Sequence, residues 1–208
     1  MSDEVTEDLL AFLGASPTPF HAVDEGRRRL EAAGFHPLDE ADRWDRLADG
    51  AYYVTSSGSN LIAFVLPPPE RRTGFRIVGA HTDSPNLRLK PNAEYASEGY
   101  AQLGVEVYGG ALLNSWLDRD LGLAGRVLVK ADGGIESRLV RLDRPVLRVP
   151  QLAIHLDRDV NDKGLVLNRQ EHLAPVLGLV GAGGGSLGKL VAGAAGVAAD
   201  RVLGHELM

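Results

Sequence analysis

The sequence has 208 residues, 28 of them acidic and 22 basic, and its formal net charge is -6. Its content of 44% hydrophobic and 24% charged residues is typical of a folded globular protein and excludes a disordered chain. The absence of cysteine excludes a disulfide scaffold, a thiol nucleophile and a thiolate zinc site.

Two helices are predicted at the N-terminus. Residues 4–14 carry an apolar stripe at helical spacing. Thr18 is suited to cap a second helix that has Pro19 in its first position and ends at Gly34. Arg27–Arg29 lies among carboxylates, which predicts a solvated helix face and no nucleic-acid partner. The N-terminus is acidic, unlike a leader, and no apolar run approaches the roughly 18 residues of a membrane helix, so we expect a cytoplasmic protein without a membrane partner.

Strand-like patterns begin at residue 51. Ala51–Thr55 and Leu61–Leu66 flank a turn-rich segment and predict a hairpin. Phe75–Ala80 predicts a further strand, which continues directly into the polar residues His81–Pro85. Open α/β sheets usually place their chemistry at such strand ends.

After Pro91 the sequence favours a separate, mostly β unit with short strands and tight turns. Asp132-Gly133-Gly134 is typical of a hairpin turn between two of these strands. The predicted strands are Val105–Tyr108, Arg126–Lys130, Ile135–Leu142 and Val146–Val149.

The C-terminal part, residues 181–208, predicts a flexible glycine loop over residues 181–185 and a marginal helix over Leu187–Val197. Two near-matches to known motifs fall here. Gly183–Lys189 resembles a phosphate-binding loop but lacks the hydroxyl residue that should follow the lysine, so we favour a surface loop. His205–Met208 resembles the start of a zinc-binding helix, but the sequence stops where the second histidine would stand.

His81-Thr82-Asp83 is the most distinctive group of polar residues. A neutral imidazole is a common zinc ligand, and its second nitrogen usually donates to a carboxylate. Two positions along an extended chain place both side chains on the same side, so Asp83 is expected to orient His81. The triplet alone is a weak signal, because a catalytic zinc needs about three protein ligands.

Three other segments carry candidate residues with open alternatives. Asp118 and Asp120 flank Arg119, and such a cluster forms either an ion-pair network or a functional carboxylate pair. His155 lies in an apolar run, where a histidine is more often a core residue than a catalytic one. Glu171-His172 leaves the same choice open.

Several segments resemble the aspartyl aminopeptidase family. They follow the family's order over about residues 8–180 and together are highly specific. They are Ser16–Val23 (SPTPFHAV), Gly79–Pro85 (GAHTDSP), Tyr108-Gly109-Gly110, Asn114–Val127 (NSWLDRDLGLAGRV), Val149–Val160 (VPQLAIHLDRDV) and Asn168–Leu177 (NRQEHLAPVL).

The resemblance implies a two-zinc exopeptidase that removes N-terminal Asp or Glu from peptides. The implied fold class is α/β, with an α/β peptidase domain that is interrupted by an inserted, mostly β dimerisation domain. Residues 1–90 would form the N-terminal part of the peptidase domain and residues 91–180 the insert. The family forms homo-oligomers built from dimers, up to dodecamers.

The resemblance also assigns roles to three residues. His81 matches the family's first zinc-ligand histidine, and Asp83 matches the carboxylate behind it. His155 matches a histidine that reaches the active site of a partner subunit. We therefore take His81 as the candidate metal ligand and Asp83 and His155 as the candidate catalytic residues.

The family's remaining zinc ligands and its general base lie C-terminal to the matched region. We therefore expect this chain to hold only part of the two-zinc site and to be inactive alone. The alternative is a non-catalytic assembly protein built from the β insert.

Overall fold

The computed structural model describes residues 3–181 and 186–208, which form two compact units, one ending at Asp83 and the other beginning at Ser84. The chain has a mixed α/β fold, with a large antiparallel sheet in the second unit. Within the described ranges, no helix is both long and apolar enough to cross a membrane.

The first unit opens with the two predicted helices, α1 (Asp3–Ala15) and α2 (Pro19–Ala32). Helix α2 begins as expected, because Thr18 is extended and its Oγ1 accepts a hydrogen bond from the His21 N–H (3.4 Å), with Pro19 in the first turn. Phe20 and Val23 of α2 are buried, whereas α1 buries none of its side chains. Of the two helices, α2 is therefore the one that contributes side chains to the core of this unit.

A three-stranded sheet completes the first unit: β1 (His36–Leu38), β2 (Gly50–Ser56) and β3 (Asn60–Leu66). Strand β1 is parallel to β2, and β2 and β3 form the predicted antiparallel hairpin. Ser57 and Gly58 in the turn have φ values of 54° and 71°, which a tight hairpin turn requires. Tyr53 and Val54 of β2 are buried, and the Tyr53 hydroxyl donates to Glu31 Oε1 of α2 (2.6 Å).

The predicted strand over residues 75–80 is wrong for this structure. Residues 72–85 contain no regular secondary structure. Phe75, Ile77 and Val78 are 94%, 88% and 98% exposed. A strand exists only where a neighbour completes its hydrogen-bond ladder, and none of the described residues pairs with this segment. An apolar pattern predicts a strand without showing whether a neighbouring strand is present, which is why the prediction fails.

The second unit is a six-stranded antiparallel sheet with two helices. Its strands lie in the order β4-β5-β8-β7-β6-β9. The sheet curls until its two outer strands meet, since Arg88 of β4 donates to Glu206 of β9 (2.7 Å). The elements are β4 (Asn86–Ser97), β5 (Tyr100–Tyr108), β6 (Asp120–Ala131), β7 (Gly134–Arg148), α3 (Val160–Lys163), β8 (Val176–Leu179), α4 (Leu187–Ala195) and β9 (Val202–Leu207).

The core of the second unit lies on one face of the curled sheet. Val127, Val129 and Leu207 are fully buried, and Leu187 and Val191 of α4 belong to the same hydrophobic cluster. Each such side chain stabilises the fold by about 1.5–3 kcal/mol relative to an exposed one.

Several predictions for this unit are confirmed. The hairpin turn at residues 132–134 joins β6 to β7, with Ala131 paired to Gly134. The predicted C-terminal helix is α4, capped by Ser186. The predicted glycine loop over residues 181–185 lies, apart from Gly181, outside the described residues.

One correction concerns β7, which unites the two strands predicted over residues 135–142 and 146–149. Its pairing with β6 passes from Leu142 to Leu147 across a bulge opposite Gly122. The bulge contains Pro145, which lacks a donor for the ladder. The predicted domain boundary at residues 90 and 91 stays a prediction, and β4 is continuous across this position.

Candidate functional site

His81 and Asp83 lie together at the end of the first unit. The His81 Nδ1 is 2.7 Å from the Asp83 carbonyl oxygen and 3.2 Å from its Oδ1. Both oxygens only accept hydrogen bonds, so the arrangement favours a proton on Nδ1 and leaves Nε2 with a free lone pair. The His81 side chain is 82% exposed, so that lone pair is accessible to a metal or to another polypeptide.

The backbone around this pair is held at one point by Thr82. Its Oγ1 donates to the Ser59 carbonyl oxygen (2.9 Å), just before β3. The residues on the N-terminal side of His81 have no such support, because the segment over residues 75–80 is exposed and unpaired. The position of the imidazole therefore depends mainly on Thr82 and Asp83.

The residues that surround His81 do not make a complete zinc site. Zinc in proteins takes about three or four ligands from His, Asp, Glu or Cys side chains. In residues 3–181 and 186–208 there is no group of three or more such side chains that could hold a metal ion. The described chain offers His81 as one ligand, with Asp83 beside it, and does not by itself fit a bound zinc.

His155 lies in the second unit, in a turn over residues 154–156 that the Leu156 N–H closes onto the Ala153 carbonyl (2.8 Å). The alternation of Ile154 and Leu156 with His155 is typical of a strand, but these residues form a turn. The imidazole is exposed, so the alternative of a core histidine is also wrong. His155 remains a solvent-facing side chain on a loop between β7 and α3.

The start of this loop is fixed by Asp118 and Arg148. The Gln151 N–H donates to Asp118 Oδ1 (3.3 Å), and the Asp118 N–H donates to the Val149 carbonyl (2.8 Å). Arg148 donates to the Asp118 carbonyl (2.9 Å) and to Asp120 Oδ1 (2.9 Å). The paired carboxylates therefore take part in an ion-pair network, as one of the two sequence alternatives proposed. The arginine that neutralises them is Arg148, which sequence proximity did not indicate.

His172 has a structural role in the second unit. Its Nδ1 accepts a hydrogen bond from the Asn168 N–H (3.0 Å), and the His172 N–H donates to the Asn168 carbonyl (3.0 Å). These contacts close a local loop and account for the histidine without a catalytic role.

A groove that the sequence did not indicate lies on the second unit. Its volume is about 760 Å³, and Arg88, Lys90, Tyr108, His205 and Glu206 are among the residues that line it. Burial lowers the pKa of His205, whose Nδ1 is buried without a partner in the described chain. His205 and Glu206 stand on β9, so they do not begin a zinc-binding helix.

Glu206 is held in this groove by two arginines. Arg88 donates to its Oε1 at 2.7 Å, and Arg126 pairs with its other oxygen. These ion pairs join β4, β6 and β9. The groove is therefore lined by charges that largely compensate one another.

Comparison with known proteins agrees with the arrangement of this chain. Residues 12–197 match the family described as aminopeptidase I zinc metalloprotease (M18). The probable M18 family aminopeptidase 2 of Streptomyces avermitilis is 53% identical over 205 residues, which are 98% of this chain and 46% of that protein. The chain spans about half the length of the curated relatives that it matches.

Solved structures agree as well. The cryo-EM structure of the Ape4 and Nbr1 complex contains a chain that matches 96% of this one with a TM-score of 0.88 and 37% identity, over 42% of its own length. The structure described as the S. cerevesiae mApe1 dodecamer matches 98% of this chain with a TM-score of 0.75 and 29% identity, over 47% of its own length.

Proposed function

The chain belongs to the aminopeptidase I zinc metalloprotease (M18) family, and on that premise we propose that it is part of an enzyme that removes Asp or Glu from the N-terminus of peptides. The observation that carries the proposal is the His81–Asp83 pair within a family match over residues 12–197. The His81 Nδ1 contacts the Asp83 carbonyl oxygen (2.7 Å) and the Asp83 carboxylate (3.2 Å), which are the kinds of acceptor that the second ring nitrogen of a metal-ligand histidine takes.

In this proposal, His81 contributes one ligand to a two-zinc site, and Asp83 orients its imidazole. The family is one of zinc metalloproteases, so zinc is the metal that we assign. The other ligands and the general base come from outside the described residues, because these residues hold no complete cluster. The 208-residue chain is therefore inactive alone.

We assign His155 to a neighbouring subunit's site, where its ring N–H donates a hydrogen bond to the oxygen that becomes negative during attack on the peptide carbonyl. The exposure of His155 on a loop supports this assignment, since a side chain that acts on another subunit must project from its own. The assignment requires a homo-oligomer, and one of the similar structures is described as a dodecamer. We place the enzyme in the cytoplasm, with which its lack of cysteine agrees.

The proposal is tested by measuring release of N-terminal residues from peptides. The zinc-loaded chain is assayed alone and after co-production with the remainder of the Streptomyces avermitilis relative, the part that this chain does not match. We expect no turnover by the chain alone, and zinc-dependent turnover of Asp- and Glu-peptides over Leu-peptides by the combination. In the combination, His81→Ala should lose zinc and turnover, whereas His36→Ala, an exposed histidine on β1, should keep both.

Two results would contradict the proposal. Zinc-dependent turnover by the chain alone would show that its site is complete. An assembled combination that binds zinc but has no turnover would favour a non-catalytic assembly protein.

A further inference from the structure

Arg119 is a cation that the candidate site does not use. The two carboxylates that flank it, Asp118 and Asp120, lie on Arg148 instead, at 3.5 and 2.9 Å. In the described part of the chain, the Arg119 side chain contacts no carboxylate and donates only to the Ser115 carbonyl oxygen, at the long distance of 3.5 Å. The guanidinium therefore keeps nearly all of its five donors available for a ligand.

Most arginines and lysines of the described chain are paired with carboxylates. Those without an ion pair among the described residues are Arg46, Arg71, Arg76, Arg119, Lys130, Arg144, Arg158, Arg169 and Lys189. Of these, Arg119 lines a cavity of about 420 Å³ in the second unit. An unpaired cation in a cavity has room to bind a ligand that is partly shielded from water, which strengthens an ionic contact.

The walls of this cavity are apolar next to Arg119. Pro85, Leu112, Trp116 and Leu121 line it at the start of β6. A carboxylate accepts two parallel N–H groups of a guanidinium, and methylene groups beside it gain free energy by leaving water for an apolar wall. The cavity therefore suits a side chain in which methylene groups end in a carboxylate, as in Asp and Glu.

Asp120 also lines the cavity, and its charge would repel an acidic ligand if it were uncompensated. Its Oδ1 accepts a hydrogen bond from Arg148 (2.9 Å), which also lies 3.5 Å from Asp118. These two carboxylates and the two arginines, Arg119 and Arg148, carry no net charge together. Selection of a ligand here depends on the directed hydrogen bonds of Arg119, which distinguish a carboxylate from its neutral amide.

The backbone that carries Arg119 is fixed beside the loop of His155. Asp118 has a φ of 52°, and its N–H donates to the Val149 carbonyl oxygen (2.8 Å). The Gln151 N–H donates to Asp118 Oδ1 (3.3 Å), and the chain continues from there to His155. Arg119 therefore stands at the base of the loop whose histidine we assign to a neighbouring subunit's site.

We propose that Arg119 is a specificity-determining residue whose guanidinium binds the side-chain carboxylate of an acidic residue in the peptide substrate. The methylene groups of that residue pack on Trp116 and Leu121. This proposal rests on the proposed function, which supplies a peptide as the ligand and places His155 where the peptide reacts. The carboxylate comes either from the residue that is removed or from the residue after it, and the experiment separates these two sources.

The test measures kcat/KM of the assembled enzyme, the 208-residue chain co-produced with the remainder of the Streptomyces avermitilis relative. The substrates are peptide amides, which have no C-terminal carboxylate: Glu-Ala-Ala against Gln-Ala-Ala, and Glu-Glu-Ala against Glu-Gln-Ala. We expect Arg119→Gln to lower the preference for Glu over Gln at least about tenfold at the first position or at the second, because a hydrogen bond to a charged group contributes that factor or more. Arg119→Lys should lose less, since it keeps the charge without the planar fork.

Arg144→Gln is the matched control, because Arg144 is another exposed arginine of the second unit without an ion pair in the described residues. It should leave both preferences unchanged. Arg119→Gln should melt at the temperature of the wild type, since the Arg119 side chain makes one long hydrogen bond in the described chain. Unchanged preferences at both positions, or an equal loss with Arg144→Gln, would overturn the proposal.

Direct binding to the chain alone keeps this proposal separate from the proposed function. Trp116 lines the cavity, and Trp44 is the other of the two tryptophans, so in a Trp44→Phe chain the fluorescence reports on Trp116. We expect Glu-Glu-Ala amide to bind at least about tenfold more tightly than Gln-Gln-Ala amide, and Arg119→Gln to remove this difference. If the assembled enzyme has no turnover, the proposed function fails, and this titration decides. A difference that depends on Arg119 would retain the proposal, and equal binding of the two peptides would overturn it.

Discussion

His155 is a residue whose catalytic and structural roles predict different results. Its side chain is exposed in a turn, and substitutions at such positions change the free energy of unfolding by no more than about 0.5 kcal/mol. A lost donor to a developing oxyanion lowers kcat by about two to three powers of ten. In the assembled enzyme, His155→Ala should therefore lower kcat at least about a hundredfold while the melting temperature stays unchanged.

The measurement is kcat and thermal unfolding on the same preparation of the assembled enzyme. His36→Ala is the control, because it removes an exposed imidazole from the first unit. Unchanged turnover in folded His155→Ala would discard the assigned role. A loss of stability in this variant would show contacts that the exposed turn does not make.

His205 makes the stability of the second unit dependent on pH. Burial lowers its pKa in the folded chain, and the charge of Glu94 opposes this only in part. Its ordinary pKa is about 6.5, so below that pH the unfolded chain binds a proton that the folded chain resists. Through His205, the free energy of unfolding should therefore be highest above about pH 6.5 and should decrease as the pH falls below that value.

We expect the unfolding free energy of the wild-type chain to fall more steeply between pH 7.5 and 5 than that of His205→Gln. The measurement is denaturant unfolding at several pH values. The other five histidines are shared by both proteins, so the difference in slope isolates His205. Equal slopes would contradict the effect of burial.

At the scale of elements, Gly125 is the position where β6 depends on glycine. It pairs with Val140 on one side and Leu207 on the other, and its φ is 155°. A Cβ at this position would overlap the Glu206 carbonyl oxygen of β9. Gly125→Ala should thus destabilise the chain by at least about 2 kcal/mol through strain and displacement of β9.

Gly133→Ala is the matched control, because a Cβ on this turn glycine meets no atom within 4 Å. It should change the free energy of unfolding by less than about 0.5 kcal/mol. Urea unfolding of both variants decides the matter. A Gly125→Ala chain as stable as Gly133→Ala would mean that β9 is not held against β6 as described.

The elements that sequence predicts well are those determined by nearby residues. Helix α2 follows from Thr18 and Pro19, and the hairpin of β6 and β7 follows from Asp132–Gly134, because caps and turns are local. The sequence does not predict strand β4, in which Pro91 interrupts the alternation, or strand β9, in which Gly204–Glu206 lacks an apolar pattern. Strand β9 pairs with β6, about 80 residues away along the chain, and a single segment does not reveal such a partner.

In the candidate site, too, local contacts could be predicted from the sequence and contacts between distant residues could not. The contact of His81 with Asp83 could be predicted, because two residues along an extended chain fix its geometry. The turn at His155 could not, since an apolar alternation favours a strand whether or not a neighbour is available. The neutralisation of Asp118 and Asp120 by Arg148 depends on the pairing of β6 with β7, which brings together residues about 30 positions apart.

At the scale of the whole molecule, the two units differ in how much of their stability is internal. The second unit has a large core under α4, whereas the first buries few hydrophobic side chains and exposes more. The first unit is also the one that carries His81 and Asp83. The unit that holds the candidate metal ligand is thus the unit with fewer buried hydrophobic side chains.

This difference predicts how the chain responds to removal of metal. A complete zinc site contributes about 10–16 kcal/mol of apparent binding free energy and couples folding to the metal. His81 alone cannot do so, because no cluster of three ligands exists in residues 3–181 and 186–208. Weak binding to a single imidazole stabilises the folded state by much less than 1 kcal/mol at micromolar zinc. For a chain of this size, the melting temperature should change by less than about 2 °C when a chelator is added to the zinc-loaded protein.

The complex with the remaining half of an M18 chain, where the ligand set is completed, should lose more stability under the same treatment. Thermal unfolding with and without chelator checks both, and a drop of more than about 5 °C in the chain alone would show a metal site that its described residues do not contain.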